Sequence, residues 1–196
     1  NLSAGQQDLL RDLVLTFEEP LRVFDSLKIR LYTDSTYNSV SGYQFKKDST
    51  GKNITLVNQW KENTQYHLIM DKDFADDSTD RKLLKTDTLS FRTKKLTDYG
   101  SLKLKFKNLD LALHPVVLIM TGEQILQSHP MSSLELSQKL FVPGEYELRI
   151  LYDRNKNGKW DPGEFFGKHL QPEIVRPVER KISVKPNFQN EFDITL

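Results

Sequence analysis

Cysteine is absent from the 196 residues, which excludes disulfide bonds, thiolate metal ligands and cysteine nucleophiles. No apolar run reaches the roughly 18 residues that a membrane-spanning helix needs. Neither sign of charge dominates, since 28 Lys and Arg stand against 27 Asp and Glu. Nucleic-acid-binding domains normally carry a basic excess, so we expect no nucleic-acid partner.

The short motifs of common catalytic sites are also missing. The sequence contains no Gly-x-Ser-x-Gly, P-loop, Gly-x-Gly-x-x-Gly or His-Glu-x-x-His. Its four histidines are scattered, which favours structural or surface roles over metal ligation or general base catalysis. Carboxylate pairs such as Glu18-Glu19 are adjacent residues, which point to opposite faces of a strand. We therefore expect a protein that is not an enzyme.

Alternation of apolar and polar residues dominates the chain and predicts short β-strands. The segments that show it are 13–17, 27–31, 53–57, 66–70, 89–93, 101–106, 116–120, 146–152, 181–184 and 192–194. Helical periodicity occurs only in residues 4–13 and, as a single turn, around 132–138. A repeat of strand and turn every 8–15 residues or so is typical of β-sandwiches and barrels.

A polar, turn-prone segment, residues 94–100, separates two groups of predicted strands. It divides the chain into two domains, residues 1–96 and 97–196, each about the length of one seven-stranded sandwich. The predicted fold is all-β, with two consecutive antiparallel β-sandwiches. The polar stretch 71–86 is expected to be a solvated loop. Because the chain begins with Asn1, we expect a processed chain or part of a longer one.

Two groups of residues resemble known bacterial families. In the first half they are Leu15-Thr16-Phe17 with Pro20-Leu21, then Trp60, Asn63, Thr64, Tyr66 and Leu68, then Asp87-Thr88, Phe91 and Thr93. They resemble the Ig-like domains of bacterial surface-layer and outer-surface proteins. In the second half they are Pro143-Gly144-Glu145-Tyr146, the run from Asp153 to Gly163, and Gln171-Pro172-Glu173. They resemble the C-terminal module of Bacteroidetes surface lipoproteins, which is similar to prealbumin-like β-sandwiches.

This resemblance implies a location and a kind of partner. It implies an extracytoplasmic protein, periplasmic or associated with the outer membrane of a Gram-negative bacterium. Any membrane association would come from a lipid anchor outside this segment, and the partner would be another protein or a glycan. Asp-Ser/Thr triplets at Asp25, Asp34, Asp48, Asp77 and Asp87 are similar to O-glycosylation sites of such proteins.

Residues 153–164 match the EF-hand calcium loop at each defining position. Calcium prefers six to eight oxygen ligands, and this spacing places an oxygen at alternate positions of a tight curl. The predicted ligands are Asp153, Asn155, Asn157, Lys159 through its carbonyl, Asp161 and Glu164. Gly158 permits the positive φ that the curl requires. The flanking residues do not predict helices, so the ion would be structural and not a switch.

An alternative interpretation of the same loop needs no metal. Asn157-Gly158 favours a tight turn, and side-chain-to-backbone hydrogen bonds alone could hold a long hairpin connection.

Trp60 is either a core residue or a sugar platform, and Trp160 is expected to pack the curl against its sandwich. The sequence thus predicts a calcium-stabilised, non-catalytic structural or interaction module of the cell envelope. Its alternatives are a glycan- or ligand-binding module and a subunit of an outer-membrane assembly.

Overall fold

The computed structural model describes residues 2, 5–79, 81, 82, 85–164, 166, 167 and 169–196. The chain divides into two compact units, residues 1–96 and 97–196. The division lies within the polar segment 94–100. Within the described residues, no helix has the length and apolar character needed to cross a membrane.

The first unit is built from two facing sheets and a short ribbon. Its strands are β1 (Gln6–Gln7), β2 (Leu13–Thr16), β3 (Leu21–Phe24), β4 (Ile29–Thr33), β5 (Asn38–Ser39), β6 (Gln44–Lys47), β7 (Asn53–Val57), β8 (Gln65–Met70), β9 (Ala75–Asp77) and β10 (Asp87–Thr93). One sheet has the order β1-β10-β8-β4-β5 and the other β2-β7-β6, while β3 pairs with β9. This division of strands between two sheets is that of an Ig-like sandwich.

Alternation along these strands creates the core of the first unit. Leu56 of β7 faces Leu31 of β4 and Leu68 of β8 within one buried cluster, and each of the three is 0% exposed. A three-residue 3₁₀ helix lies at Ser26–Lys28, and a second, Leu96–Asp98, spans the boundary between the two units. The unit is thus stabilised by burial of apolar side chains from both sheets.

The second unit is a separate sandwich with its own core. Its strands are β11 (Gly100–Lys107), β12 (Pro115–Thr121), β13 (Gln124–Pro130), β14 (Glu135–Phe141), β15 (Gly144–Tyr152), β16 (Ile174–Pro177), β17 (Ile182–Val184) and β18 (Gln189–Thr195), with a 3₁₀ helix at Leu111–Leu113. One sheet has the order β14-β11-β18 and the other β13-β12-β15-β16, with β17 also on β15. Leu104 of β11, Ile119 of β12 and Ile150 of β15 meet in the core.

Two strand pairs depart from the predicted antiparallel pattern. β1 pairs with β10 in parallel, and β11 pairs with β18 in parallel over seven residues. In each unit the first strand therefore lies beside the last. The other strand pairs of the described residues are antiparallel, so the prediction of antiparallel sandwiches is otherwise confirmed.

The two helical predictions are wrong. Within 4–13, Gly5 has φ +74°, Gln6–Gln7 pairs with β10 and Leu13 begins β2, while Ala4 lies outside the described residues. Within 132–138, residues from Glu135 onward belong to β14, an edge strand. Pairing with a neighbouring strand has overridden local helical preference in both places.

The polar stretch 71–86 is not entirely the solvated loop that its composition predicts. Phe74 is 2% exposed and packs in the core of the first unit, and Ala75–Asp77 forms β9 against β3. Asp80, Leu83 and Leu84 lie outside the described residues. One aromatic side chain thus anchors this connection.

Candidate metal site in the loop 153–164

Asp153 organises the loop that follows β15. Its side chain is 2% exposed. Oδ1 accepts hydrogen bonds from the N–H of Lys156 at 2.7 Å and of Asn157 at 3.3 Å, and Oδ2 accepts one from Gly158 at 2.6 Å. Gly158 has φ +75°, as the curl predicted from its sequence position requires. The carboxylate therefore satisfies three backbone donors of one tight turn.

Two further loop side chains converge on one carboxylate oxygen of a third. The amide nitrogens of Asn155 and Asn157 lie 2.6 Å and 2.8 Å from Oδ2 of Asp161. Oδ1 of Asn155 accepts from the N–H of Asn157, and Oδ1 of Asn157 accepts from the N–H of Lys159. The amide nitrogens, not the oxygens, contact Asp161 in this structure, but each Oδ1 keeps a second lone pair that can bind a cation while the first accepts its backbone N–H. These residues fit the oxygen-rich environment that calcium prefers.

The position-twelve residue, Glu164, lines the same small pocket as Asn155 and Asp161 but has different hydrogen-bond partners. Its backbone N–H donates to the carbonyl of Leu170 at 2.9 Å. Its exposed carboxylate lies against Gly167, so close that a Cβ there would be 2.8 Å from Oε1. In the described part of the chain, no hydrogen bond joins the Glu164 carboxylate to Asp161, and no three His, Cys, Asp or Glu side chains group as metal ligands. Ligation by Glu164 stays a prediction.

Glu173 closes the loop, although it lies outside the EF-hand template. It is 6% exposed, and its carboxylate accepts hydrogen bonds from the N–H of Arg154 at 2.8 Å and of Asp161 at 3.1 Å. Its own N–H donates to the Asp161 carbonyl, and its carbonyl accepts from Nε1 of Trp160. Trp160 is 52% exposed and belongs to no core cluster of the described residues, so its clearest contact is this hydrogen bond, which joins the loop to Glu173.

The three residues of the Gln171-Pro172-Glu173 segment differ in their surroundings. Glu173 is buried and bonded, whereas Gln171 and Pro172 are exposed. The sequence signal for Glu173 was a carboxylate beside a proline, nine positions beyond Glu164. Such a signal does not indicate which backbone donors the carboxylate would meet.

A second group of side chains lies on the exposed face of the five-stranded sheet in the first unit. The ring of Tyr37 stacks on His67 with centroids 4.8 Å apart, and Tyr32 meets Tyr37 edge-on at 6.0 Å. Nδ1 of His67 lies 2.8 Å from Oγ of Ser90. Tyr37 is 48% exposed. Two tyrosines and a histidine thus form a small aromatic surface.

Trp60 does not belong to this aromatic surface. It packs edge-on against Tyr66 and Phe91, with centroids 5.1 Å and 5.6 Å away, and its Nε1 donates to the Arg11 carbonyl. The core interpretation of Trp60 is therefore confirmed.

Among the histidines, His129 lies beside Gln127 and Gln138, and burial lowers its pKa.

Four of the Asp-Ser/Thr triplets form turns. The first residue accepts a hydrogen bond from the third through its carboxylate, the pairs being Asp25–Leu27, Asp34–Thr36, Asp48–Thr50 and Asp77–Thr79. This geometry leaves the middle hydroxyl exposed, at Ser26, Ser35, Ser49 and Ser78. Each triplet therefore stabilises a turn and presents a hydroxyl to solvent.

No protein-family model and no curated protein matches the sequence. The solved structures to which the chain shows some similarity include three bacterial proteins. The Bacillus anthracis TIE protein has 11% identity and a TM-score of 0.31, over 97% of this chain and 38% of that one. The CbhA fibronectin(III)-like modules of Clostridium thermocellum have 11% identity and a TM-score of 0.23, over 95% of this chain and 92% of that one. A leucine-rich repeat protein from Bacteroides thetaiotaomicron has 10% identity and a TM-score of 0.25, over 93% of this chain and 26% of that one. All three TM-scores are below 0.5, too low to support an inference about function.

Strand order and core therefore define the class of protein. The chain is an all-β protein of two β-sandwich units, the first Ig-like in its division of strands.

Proposed function

We propose that the chain is a non-catalytic structural and interaction module of the bacterial cell envelope, with one calcium ion stabilising its second unit. The convergence of Asn155 and Asn157 on Asp161 is the observation that supports this most strongly. Asp153, the Lys159 carbonyl and Glu164 complete the proposed ligand set. The ion would draw these oxygens together and hold the loop in a chain that has no disulfide.

A thermal melt of the metal-stripped protein, with and without millimolar calcium, tests the ion. Two asparagines among the ligands lower the negative charge, so we expect a Kd of about 10⁻⁴–10⁻³ M. Calcium at about 10 mM, which is ten to a hundred times this Kd, would stabilise the protein by about 1.4–2.7 kcal/mol and raise Tm by several degrees. Asp161→Asn should lose this calcium-dependent rise, whereas Glu179→Gln, at an exposed carboxylate of the same unit, should keep it.

The calcium-dependent change in Tm is a better measure here than stability alone. Asp153→Ala removes three backbone hydrogen bonds whether or not an ion is present, so its stability falls under either interpretation. Glu164→Gln separates the position-twelve ligand from the rest. A wild-type Tm that does not change with calcium would leave the loop as a metal-free connection held by Asp153 and Glu173.

The cell-envelope location is supported by the resemblance to Bacteroidetes surface lipoproteins and by the exposed hydroxyls of the Asp-Ser/Thr triplets. Mass spectrometry of the protein from its native host should find glycan on Ser26, Ser35, Ser49 or Ser78, and an extracytoplasmic fraction should contain the protein. Unmodified hydroxyls together with a cytoplasmic fraction would contradict this location.

A glycan-binding role is the second candidate, and the aromatic surface of the first unit favours it. Tyr37 offers a half-exposed ring held by His67, and sugars bind to such apolar ring faces. Titration with a panel of oligosaccharides should show binding that Tyr37→Ala abolishes. Tyr43→Phe is the matched control, since it changes a tyrosine whose hydroxyl lies beside the Leu31 N–H. Binding that survives Tyr37→Ala would remove this candidate.

A further inference from the structure

A cleft of about 600 Å³ opens in the second unit beside the loop. Tyr152 and Ile174, which pair across β15 and β16, contribute to its lining. Residues 112–114 line it on one side, and Gln171 and Pro172 on another. Its volume is within the range of about 300–1,000 Å³ that small-molecule sites occupy.

Part of the lining of the cleft consists of apolar side chains that are exposed to solvent. Leu113 is 52% exposed and Ile174 is 56% exposed, and the half-buried ring of Tyr152 lies beside them. An apolar ligand seated here would remove this surface from water, which is favourable in proportion to the area covered. The cleft therefore suits a ligand with an aromatic or aliphatic body.

Two arginines give the cleft a positive charge. Arg154 donates from Nη2 to the Gln171 carbonyl, and its backbone N–H is held by Glu173. The guanidinium of Arg176 lies 5.7 Å over the ring of Tyr152. Among the residues that the structure describes, no carboxylate forms an ion pair with either guanidinium. Lys181 of the same unit, by contrast, pairs with Glu147 at 2.8 Å.

We infer that this cleft binds a small organic carboxylate with an aromatic or aliphatic body. The guanidinium groups of Arg154 and Arg176 donate to the carboxylate, a planar group that arginine can bind through two parallel hydrogen bonds. The body of the ligand covers Tyr152, Ile174 and Leu113. Arg154 is positioned by Glu173 and Gln171, so the inference does not depend on the proposed calcium ion.

An NMR titration of the ¹⁵N-labelled chain tests this site. The probes are 2-naphthoate and 2-naphthamide, which share a ring system and differ in charge. Naphthoate should shift amide signals around residues 112–114 and 171–176, and naphthamide should bind at least about tenfold more weakly. Arg176→Gln should weaken naphthoate by a similar factor. Lys139→Gln removes the same charge from β14, away from the cleft, and should leave the affinity unchanged.

Other outcomes would overturn the inference. They are equal affinity for the two probes, shifts that fall elsewhere, or naphthoate binding unaffected by Arg176→Gln. Displacement of naphthoate by inorganic phosphate at equal concentration would show a general anion site with no use for the apolar lining. Ile174→Ser checks that lining independently and should weaken naphthoate while both arginines remain. Far-UV circular dichroism of each variant confirms that it is folded.

Discussion

Oε1 of Glu173 accepts a hydrogen bond from the backbone N–H of Arg154, 2.8 Å away and 19 positions earlier in the chain. The other carboxylate oxygen accepts from the N–H of Asp161. One buried carboxylate thus joins the beginning of the calcium-type loop to its ninth position. The shape of the loop depends on a residue that the EF-hand template does not include.

Glu173→Gln should lower the free energy of unfolding of the second unit by about 1–3 kcal/mol. Each carboxylate oxygen of Glu173 accepts from one backbone N–H. The glutamine amide has only one oxygen, so one of these two N–H groups would lose its acceptor and face the N–H₂ group instead. Urea denaturation followed through amide signals of the second unit measures the change. Glu123→Gln, at an exposed position of the same unit, should have little effect. Equal effects of the two variants would contradict the role of Glu173.

Gly163→Ala should destabilise the second unit more than Gly158→Ala does. Both glycines have positive φ, a conformation that costs other residues about 1–2 kcal/mol. A Cβ at Gly163 would also lie 2.4 Å from the Leu170 carbonyl oxygen, whereas one at Gly158 meets nothing within 4 Å. Urea midpoints of the two variants give the comparison. Indistinguishable midpoints would mean that residues 170–172 move aside freely.

Acid should weaken the first unit through its Asp-Ser-Thr turns. Hydrogen bonds from the side chains of Asn53 and Thr50 lower the pKa of Asp48 to about 2, and bonds from Arg81 and Thr79 do the same for Asp77. A lowered folded-state pKa stabilises the fold above the ordinary value of 3.8, and this stabilisation is lost as pH falls towards 2. Urea midpoints of the first unit should therefore drop across this interval.

Asp48→Asn should reduce that acid-dependent drop, because the variant has no carboxylate to protonate at the turn. Asp12→Asn, at an exposed aspartate of the same unit, should retain the wild-type drop. An unchanged pH profile for Asp48→Asn would show that its hydrogen bonds do not contribute to stability in solution.

Trp60→Ala should destabilise the first unit by about 3 kcal/mol, as truncation of core aromatic residues generally does. The ring packs edge-on against Tyr66 and Phe91, which stack on each other, so its removal leaves a cavity beside that pair. The same variant should not change oligosaccharide binding at Tyr37. A stable Trp60→Ala protein with altered sugar binding would instead favour the sugar-platform interpretation.

Alternation in the sequence predicts the strands of the two cores well but predicts the edges poorly. Residues 53–57 were predicted as a strand and form β7 with the same bounds. β13 was missed because Gln124–Pro130 is rich in polar residues and ends in proline, a composition that only an edge strand tolerates. The sequence does not indicate β14, because its first half falls in the stretch 132–138 that is predicted as a helical turn and its other residues are mostly polar.

In the loop as well, contacts between residues close in sequence were predictable, whereas contacts between residues far apart in sequence were not. Asp153 and Gly158 were predictable because their roles are set by the turn that contains them. Glu173 was not, since it reaches the loop only after the chain has turned back at the Glu164–Leu170 bridge. Arg154 and Arg176 are 22 positions apart, and only the pairing of β15 with β16 brings them to one cleft.

The parallel pairing of β11 with β18 has a mechanical consequence. Tension that enters the second unit at Gly100 and leaves at Thr195 pulls these two strands lengthwise in opposite directions. The seven residue pairs between them are then loaded together in shear and do not peel apart one by one. Pulling on the β1–β10 pair of the first unit has the same geometry, with two residue pairs. Each unit should therefore resist being unfolded by a force applied at its own two ends, a property suited to the spacer role proposed above.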